Sequence, residues 1–388
     1  MLPSIGQAVV RKRALKRLLS GHLWVYKSDV EVRAVEPGLV EVLDPNGKIF
    51  GQAFYSPRSQ IALRLLARGT QVITKEFIVG RFKDALKRRQ QMLPEMDAYR
   101  LVHGEGDLLP GLFVERYGRA FVVQSTCAAA ELLEPLCVDW LKEQGAELIV
   151  INNTTKSRRA EGLELYRRVV LGDEPAVVSF REHGFAYSVD LLGDQKTGSF
   201  FDQRDNHGQI GKYAFGKGLD AFTYHGGFAL NMSRHCESVQ AVDLSVPALE
   251  RVESNVKAAG VENLTTHKAD VMKYLPRLLE EKQSFDTIVL DPPAFASGRE
   301  SVGRALAAYK KLNRWGLSLL NSGGVMATCS CSGRISFTDF EKSLKRAASD
   351  LGLPIQILER RGAGVDHPVL AGMEETEYLK AIFLRRLS

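Results

Sequence analysis

Cysteine is scarce in this sequence: five residues in 388, at positions 127, 137, 236, 329 and 331. They form no ladder of even spacing and no paired CxxC, which excludes a disulfide framework and the common zinc ribbons. Reduced thiols are expected, and no metal site, because the CxC at 329–331 has no His or Cys cluster to complete it. No stretch reaches the roughly 18–20 apolar residues of a membrane helix. The basic opening is not followed by the apolar core of a secretory signal, so the chain is expected in the cytosol and away from membranes. Internal repeats and low-complexity tracts are also missing. So are the dinucleotide fingerprint GxGxxG and the phosphate loop GxxxxGK[ST]. What remains is ordinary globular composition, 45% hydrophobic and 25% charged, in a chain long enough for more than one core.

Charge is distributed unevenly. Residues 1–75 hold 12 Lys+Arg against 5 Asp+Glu, a net of +7, whereas the rest hold 40 against 41, a net of −1. Five of the seven residues from Arg11 to Arg17 are basic. Such a patch attracts a phosphate backbone by releasing counterions, and a solvated surface helix would look the same.

The first ~75 residues alternate short apolar runs with turn signals (Pro37-Gly38, Asp44-Pro45-Asn46-Gly47, Ser56-Pro57). That pattern predicts a small β-barrel or sheet, with strands at Leu39–Leu43 and Ile61–Leu66. Helical spacing begins at Phe77 and places a boundary near residue 75. A mixed α+β stretch follows, with a strand near Ala120–Gln124, a helix over Leu132–Glu143 and a strand at Glu147–Asn152. After about Phe200 strands and helices alternate, the rhythm of a doubly wound parallel sheet: a strand at Gly218–Thr223, a helix at Gly226–Cys236, then strands at Ser238–Asp243, Asn263–Ala269, Phe285–Asp291 and Gly324–Ser330.

Ligands bind such a sheet at the carboxyl ends of its strands. Asp220 lies in the first strand, ahead of Gly226-Gly227. Asp243 ends the second, 16 residues after Gly227, and Asp270 follows the third. A carboxylate at the place of Asp243 suits the ribose hydroxyls of a nucleoside. With a single Gly-Gly pair and no pyrophosphate loop, S-adenosylmethionine fits better than NAD, although each aspartate could equally be a helix N-cap. The fourth strand ends in Asp291-Pro292-Pro293-Ala294-Phe295. Two prolines cannot continue a central strand, so the chain turns out there with Asp291 over the cofactor site. The next strand ends in Thr328-Cys329-Ser330-Cys331-Ser332. A thiol at that edge could add to C6 of a flipped pyrimidine, which activates the weakly nucleophilic C5 toward methylation.

These residues resemble the PUA-domain-bearing ribosomal RNA large-subunit cytosine-5 methyltransferases along nearly the whole chain. The likeness rests on Ser20–Tyr26, GEGDLLPGLFVERYG (Gly104–Gly118), REHGFAYSVDLLGDQKTGSFFDQRDN (Arg181–Asn206), DAFTYHGGFAL (Asp220–Leu230), DPPAF (Asp291–Phe295), SCSG (Ser330–Gly333) and a C-terminal block from Asp366-His367-Pro368-Val369 to Lys380. It implies an α/β protein with a PUA RNA-binding β-barrel at 1–74, a central α+β domain at 75–190 and a Rossmann-like class I methyltransferase domain at 191–388. Tyr224, Gly226 and Gly227 would line the methionine end of S-adenosylmethionine, Asp243 the ribose and Asp270 the adenine, with Gln203 and Arg204 closing over the cofactor. His225 departs from the family, which usually has Thr there. Gln195–Gly198 is expected to form a hairpin turn near the active site.

Two cysteines compete for the nucleophile. In cytosine-5 methyltransferases it tends to stand seven residues after the second glycine of a Gly-Gly turn, and Gly324 plus seven is Cys331; Cys329 would then support it from the strand. Asp291 would hydrogen-bond N3 or N4 of the cytosine. Glu375 resembles the carboxylate that removes H5 in uracil-5 methyltransferases, and it equally fits an acidic surface cluster with Glu374 and Glu377. The expected partner is large-subunit ribosomal RNA. The target nucleotide and the number of copies in the assembly, a homodimer among the options, stay open. Two other functions remain: methylation of a guanine nitrogen without a covalent intermediate, and a non-catalytic RNA-binding assembly factor.

Overall fold

The computed structural model describes residues 4–193, 198–295 and 301–388, and the chain forms two compact units. Residues 195–197 of the expected hairpin turn lie outside the described residues. The first unit takes in the chain up to Phe180 together with Val189–Gly198 and Asp366–Thr376; the second takes in Arg181–Ser188, Ser199–Val365 and Glu377–Ser388.

The first unit opens with a six-stranded sheet, β1 (Ser4–Val10), β2 (Trp24–Tyr26), β3 (Val30–Val32), β4 (Gly38–Leu43), β5 (Ile49–Tyr55) and β6 (Ile61–Arg68), ordered β2-β6-β5-β4-β1-β3. The basic segment forms the helix Lys12–Leu19, which buries Ala14 and Leu18. Not all of its charge faces solvent. Arg17 turns inward to Asp29 at 3.0 Å and lies over the Tyr26 ring.

A second sheet follows, ordered β11-β10-β9-β8-β7 from β7 (Ala98–His103), β8 (Leu112–Tyr117), β9 (Ala120–Ser125), β10 (Leu148–Asn153) and β11 (Tyr166–Leu171). The helix Lys75–Met92, started by Thr74 accepting from Phe77 N, packs Phe82 against Trp140 with ring centroids 5.2 Å apart. Leu39, Phe54 and Leu66 of the first sheet share one apolar core with Ile78 and Phe82.

A two-stranded sheet, β12 (Val177–Glu182) and β13 (Phe185–Asp190), precedes the main sheet of the second unit. That sheet has seven strands: β14 (Gly216–Ala221), β15 (Cys236–Asp243), β16 (Leu264–Lys268), β17 (Phe285–Leu290), β18 (Leu320–Ser330), β19 (Ile355–Arg361) and β20 (Lys380–Arg386), ordered β16-β15-β14-β17-β18-β20-β19. β14 to β18 pair in parallel, while β20 runs antiparallel to β18 and β19. The order reverses between β14 and β17, which opens a crevice at their carboxyl ends. The helix after β14 is shorter than expected, Gly227–Ser233, and Cys236 already belongs to β15. Asn263 accounts for the early stop: its Nδ2 donates to the carbonyls of Ser233 and Cys236, which draws the chain out of the helix and into the strand.

One buried ion pair ties the first unit together. Arg89 makes two hydrogen bonds of 2.6 Å to the Asp107 carboxylate, and both side chains are almost fully enclosed. Breaking a buried pair on one side costs about 3–5 kcal/mol, because the other charge is left unmatched. Asp107→Ala is therefore expected to destabilise the first unit by that order. Urea unfolding followed by fluorescence of Trp24 and Trp140 would show it, and an unchanged midpoint would mean that the pair contributes nothing net.

Candidate active site

The carboxyl ends of β14 and β15 form a cradle. Past Ala221 the chain turns tightly, with left-handed backbone at Phe222 (φ 67°), Tyr224 (φ 49°) and Gly226 (φ 83°). Gly227 cannot be larger, since a Cβ there would stand 2.4 Å from the His207 ring. Asp220 anchors the turn: its Oδ2 accepts from Thr223 Oγ1 at 2.6 Å and Ala229 N at 2.9 Å. Its Oδ1 is buried with no hydrogen-bond partner among the described residues. Burial pushes the Asp220 carboxyl up to about 6, so near neutrality an acceptor waits inside the cradle for a donor that the described residues do not supply. His207 lies behind, with Nδ1 2.6 Å from Glu182 Oε1. Burial disfavours its imidazolium, but the Glu182 carboxylate outweighs this and the pKa is raised.

The other two expected aspartates combine structural and recognition capacity. Asp243 accepts from Tyr224 N at 3.1 Å and Ser245 N at 2.9 Å, which leaves lone pairs on both oxygens for hydroxyl donors. Asp270 caps the helix Val271–Glu280 through Met272 N, as the N-cap alternative anticipated. His225, in the place of the family's Thr, stacks on Tyr224 at 3.7 Å. Burial and the neighbouring Arg251 lower its pKa to about 3, so it fills the loop as a neutral ring. These groups fit a methionine nucleoside: a buried carboxylate edge, a turn whose backbone a ligand can approach, and carboxylates at two further strand ends.

β17 and β18 supply the reacting side. Asp291 leaves β17 with its carboxyl enclosed by protein while one edge of the residue stays partly exposed. Gln203 Nε2 donates to its Oδ1 at 2.9 Å, and Asn206 holds Gln203 in turn. Burial, reinforced by the negative charge of Asp202, pushes the Asp291 carboxyl up to about 7. Cys331 stands just past β18, partly exposed, with Sγ 3.9 Å from the Pro292 carbonyl oxygen. Cys329 lies within β18, fully buried, and burial pushes its thiol well above the ordinary value.

The expected site residues therefore divide. Asp220, Tyr224, Gly226, Gly227, Asp243, Asp270, Asp291 and Cys331 sit on turns and strand ends of one sheet. Gln203 lies against Asp291, and Arg204 is buried with its Nε donating to Asp205. Glu375 belongs to the first unit, where its carboxylate stands 3.3 Å from His22 Nε2. Three residues around Asp291 and Cys331 went unassigned: Asp202, which accepts from the Tyr378 hydroxyl at 2.7 Å; Tyr309, 3.0 Å from Ser332 Oγ; and Lys380, buried beneath the loop. Asp202 and Lys380 stand inside the quoted motifs, and that was their only signal. Tyr309 looks like any apolar-face aromatic of a helix. Among the described residues no cluster of His, Cys, Asp and Glu is placed to hold a metal ion, and no helix is long and apolar enough to cross a membrane.

Comparisons with known proteins identify the domains and the fold. A family model described as a PUA-like domain matches residues 8–68, and one described as Conserved hypothetical protein 95 matches residues 198–328. Among solved structures, a protein from Streptococcus mutans assigned as a SAM-dependent methyltransferase superposes with a TM-score of 0.85 over 98% of this chain and 99% of its own, at 19% identity. The ribosomal RNA large subunit methyltransferase I of Erwinia tasmaniensis is 35% identical over 97% of this chain and 98% of that protein. Its namesake from Photobacterium profundum is 35% identical over 98% of each. Identity of this degree along practically the whole length places the chain in the family of ribosomal RNA large subunit methyltransferase I.

Proposed function

We propose that the chain methylates C5 of a cytosine in large-subunit ribosomal RNA, with S-adenosylmethionine as methyl donor and Cys331 as nucleophile. The observation that carries this reading is the placement of a partly exposed thiol beside the Asp291-Pro292 turn, where the Asp291 carboxyl is neutral enough to donate a proton. S-adenosylmethionine, when bound, supplies an electrophilic methyl group. Asp243, Asp220 and the Tyr224–Gly227 turn would hold it. The Cys331 thiolate forms a bond to C6 of the target base, and the displaced electron pair is accommodated at N3 by a proton from Asp291. Once C5 carries the methyl group, H5 leaves to a base, the C6–S bond breaks to restore the thiolate, and the N3 proton returns to Asp291. Glu375 is offered as that base only by its likeness to the carboxylate that removes H5 in uracil-5 methyltransferases; it equally fits an acidic surface cluster with Glu374 and Glu377. The exposed basic residues of Lys12–Leu19 suit phosphate contacts along RNA in the cytosol.

Three measurements test this reading. Calorimetric titration with S-adenosylmethionine should give 1:1 binding that Asp243→Ala weakens about 10–100-fold, the loss of one or two hydrogen bonds to a charged group. NADH binding in its place would overturn the cofactor assignment.

Fluorine at C5 blocks the final elimination. Wild-type protein with cofactor and a 5-fluorocytosine ribosomal RNA fragment should therefore accumulate a covalent adduct, visible as a shifted band on a denaturing gel. Cys329→Ala should still form it and Cys331→Ala should not. Methylation without any wild-type adduct would favour the guanine-nitrogen reaction.

The pH dependence follows from Asp291. Its acid form, which donates to N3, is present below about 7 and is lost as pH rises through that value. The single-turnover rate at saturating RNA should accordingly fall above pH 7. Asp291→Asn should remove that decline and lower the rate about 10²–10⁴-fold; a variant keeping the wild-type descending limb would show that another group sets it.

A further inference from the structure

Lys380 opens β20 and is the register partner of Ser330, the last residue of β18. It is 2% exposed. Its Nζ donates to the carbonyls of Ser332 at 2.7 Å, Ile335 at 2.9 Å and Tyr378 at 2.7 Å. An ammonium has three protons and no acceptor, so this cradle matches it atom for atom. A neutral amine would turn its lone pair toward one of the three oxygens. The cradle thus selects the charged form, yet among the described residues no carboxylate lies within ion-pair distance of it. A buried charge without a counter-charge costs several kcal/mol, and a methionine would fill the same volume without that cost.

The neighbours of Cys331 suggest what the charge is for. Asp291 and Pro292 approach it from the end of β17, Tyr309 from the helix Val302–Leu319, Cys329 from the strand and Lys380 from β20. Asp291 and Tyr309 would oppose an anion at Cys331 if they were ionised; burial raises both, and with its carboxyl near 7 Asp291 opposes the thiolate mainly above that pH, so the lysine's charge has to outweigh it there. Burial lowers Lys380 to about 8, and negative charge at Cys331 and at Glu377 works the other way.

We propose that Lys380 is the positioning residue of the nucleophile: its ammonium, fixed by three carbonyls under residues 331–335, both orders that loop and supplies the positive charge that holds Cys331 as a thiolate. This rests on Cys331 being the nucleophile, but the coupling can be measured without the methylation reaction. The test is alkylation of the free protein by iodoacetamide as a function of pH, read by peptide mass. The other four cysteines are buried, so Cys331 should react first.

In the wild type the alkylation midpoint should lie below ~8.5, the value of an ordinary thiol. A midpoint at or above it overturns the proposal without any variant. Lys380→Met should move the midpoint up by about one unit, which is roughly a tenfold slower alkylation near pH 7. Lys380→Arg, keeping the charge, should recover most of the shift even if the loop packs less well. A wild-type midpoint retained in folded Lys380→Met would reduce the lysine to packing and overturn the proposal. A lowered wild-type midpoint together with no fluorocytosine adduct would instead leave the lysine–cysteine coupling standing and remove Cys331 from the reaction.

Discussion

A parallel sheet buried on both faces has only its strand ends free for polar chemistry, and the second unit is organised by that constraint. The carboxyl-end halves of β14, β17 and β18 are enclosed, and the site's aspartates and its partly exposed thiol stand at or just past strand ends. The chain reversal between β14 and β17 brings Asp220 and Asp291 to adjacent strands, with the register running from Asp220↔Val289 to Ala221↔Leu290. The cradle and the reacting edge are therefore consequences of strand order before they are properties of any single residue.

Such enclosure makes every charge expensive, and the site answers this differently at each position. Asp243 accepts two backbone N–H groups at the end of β15. Burial raises both Asp220 and Asp291, but to different levels: near 6 Asp220 is still mostly an acceptor at neutral pH, whereas near 7 Asp291 can serve as a donor there. Lys380 stays cationic because three carbonyls saturate it. The same low-dielectric surroundings thus yield an acceptor, an acid and a cation within one sheet edge, separated by the hydrogen bonds each group receives.

The first unit gathers motifs distant in sequence into one polar network. Trp24 Nε1 donates to Glu105 at 2.8 Å, Arg89 bridges Asp107 and the Asp366 carbonyl, and Asp366 accepts from Arg100 N. The segment Asp366–Thr376, which follows and precedes chain of the second unit, contributes Leu370 and Met373 to the core of the first sheet. A network of this kind specifies one arrangement more sharply than apolar packing does, since each unmatched member would be a buried polar group without a partner.

Periodicity and punctuation were enough, by themselves, to mark the alternating strands and helices after Phe200, the change of pattern near residue 75, and the strand ends carrying Asp243, Asp291 and Cys331. Local sequence encodes those features through side-chain period and backbone restriction, as with the prolines after Asp291 or Gly226, whose left-handed backbone closes the turn after Tyr224. The early end of the Gly227–Ser233 helix was not legible, because it depends on Asn263, thirty residues away. The spacing from Gly324 singled out Cys331 and left Cys329 in the strand, but it could not give their exposure: β18 ends at Ser330, so Cys329 is buried within the strand while Cys331, just past it, is partly exposed. Gln203 against Asp291, Glu375 against His22 and Lys380 beneath residues 331–335 lie further still from any local rule. Sequence determines which elements form and which groups reach their ends; the charge state and partner of each group depend on burial and on contacts across long stretches of chain, which only the tertiary structure decides.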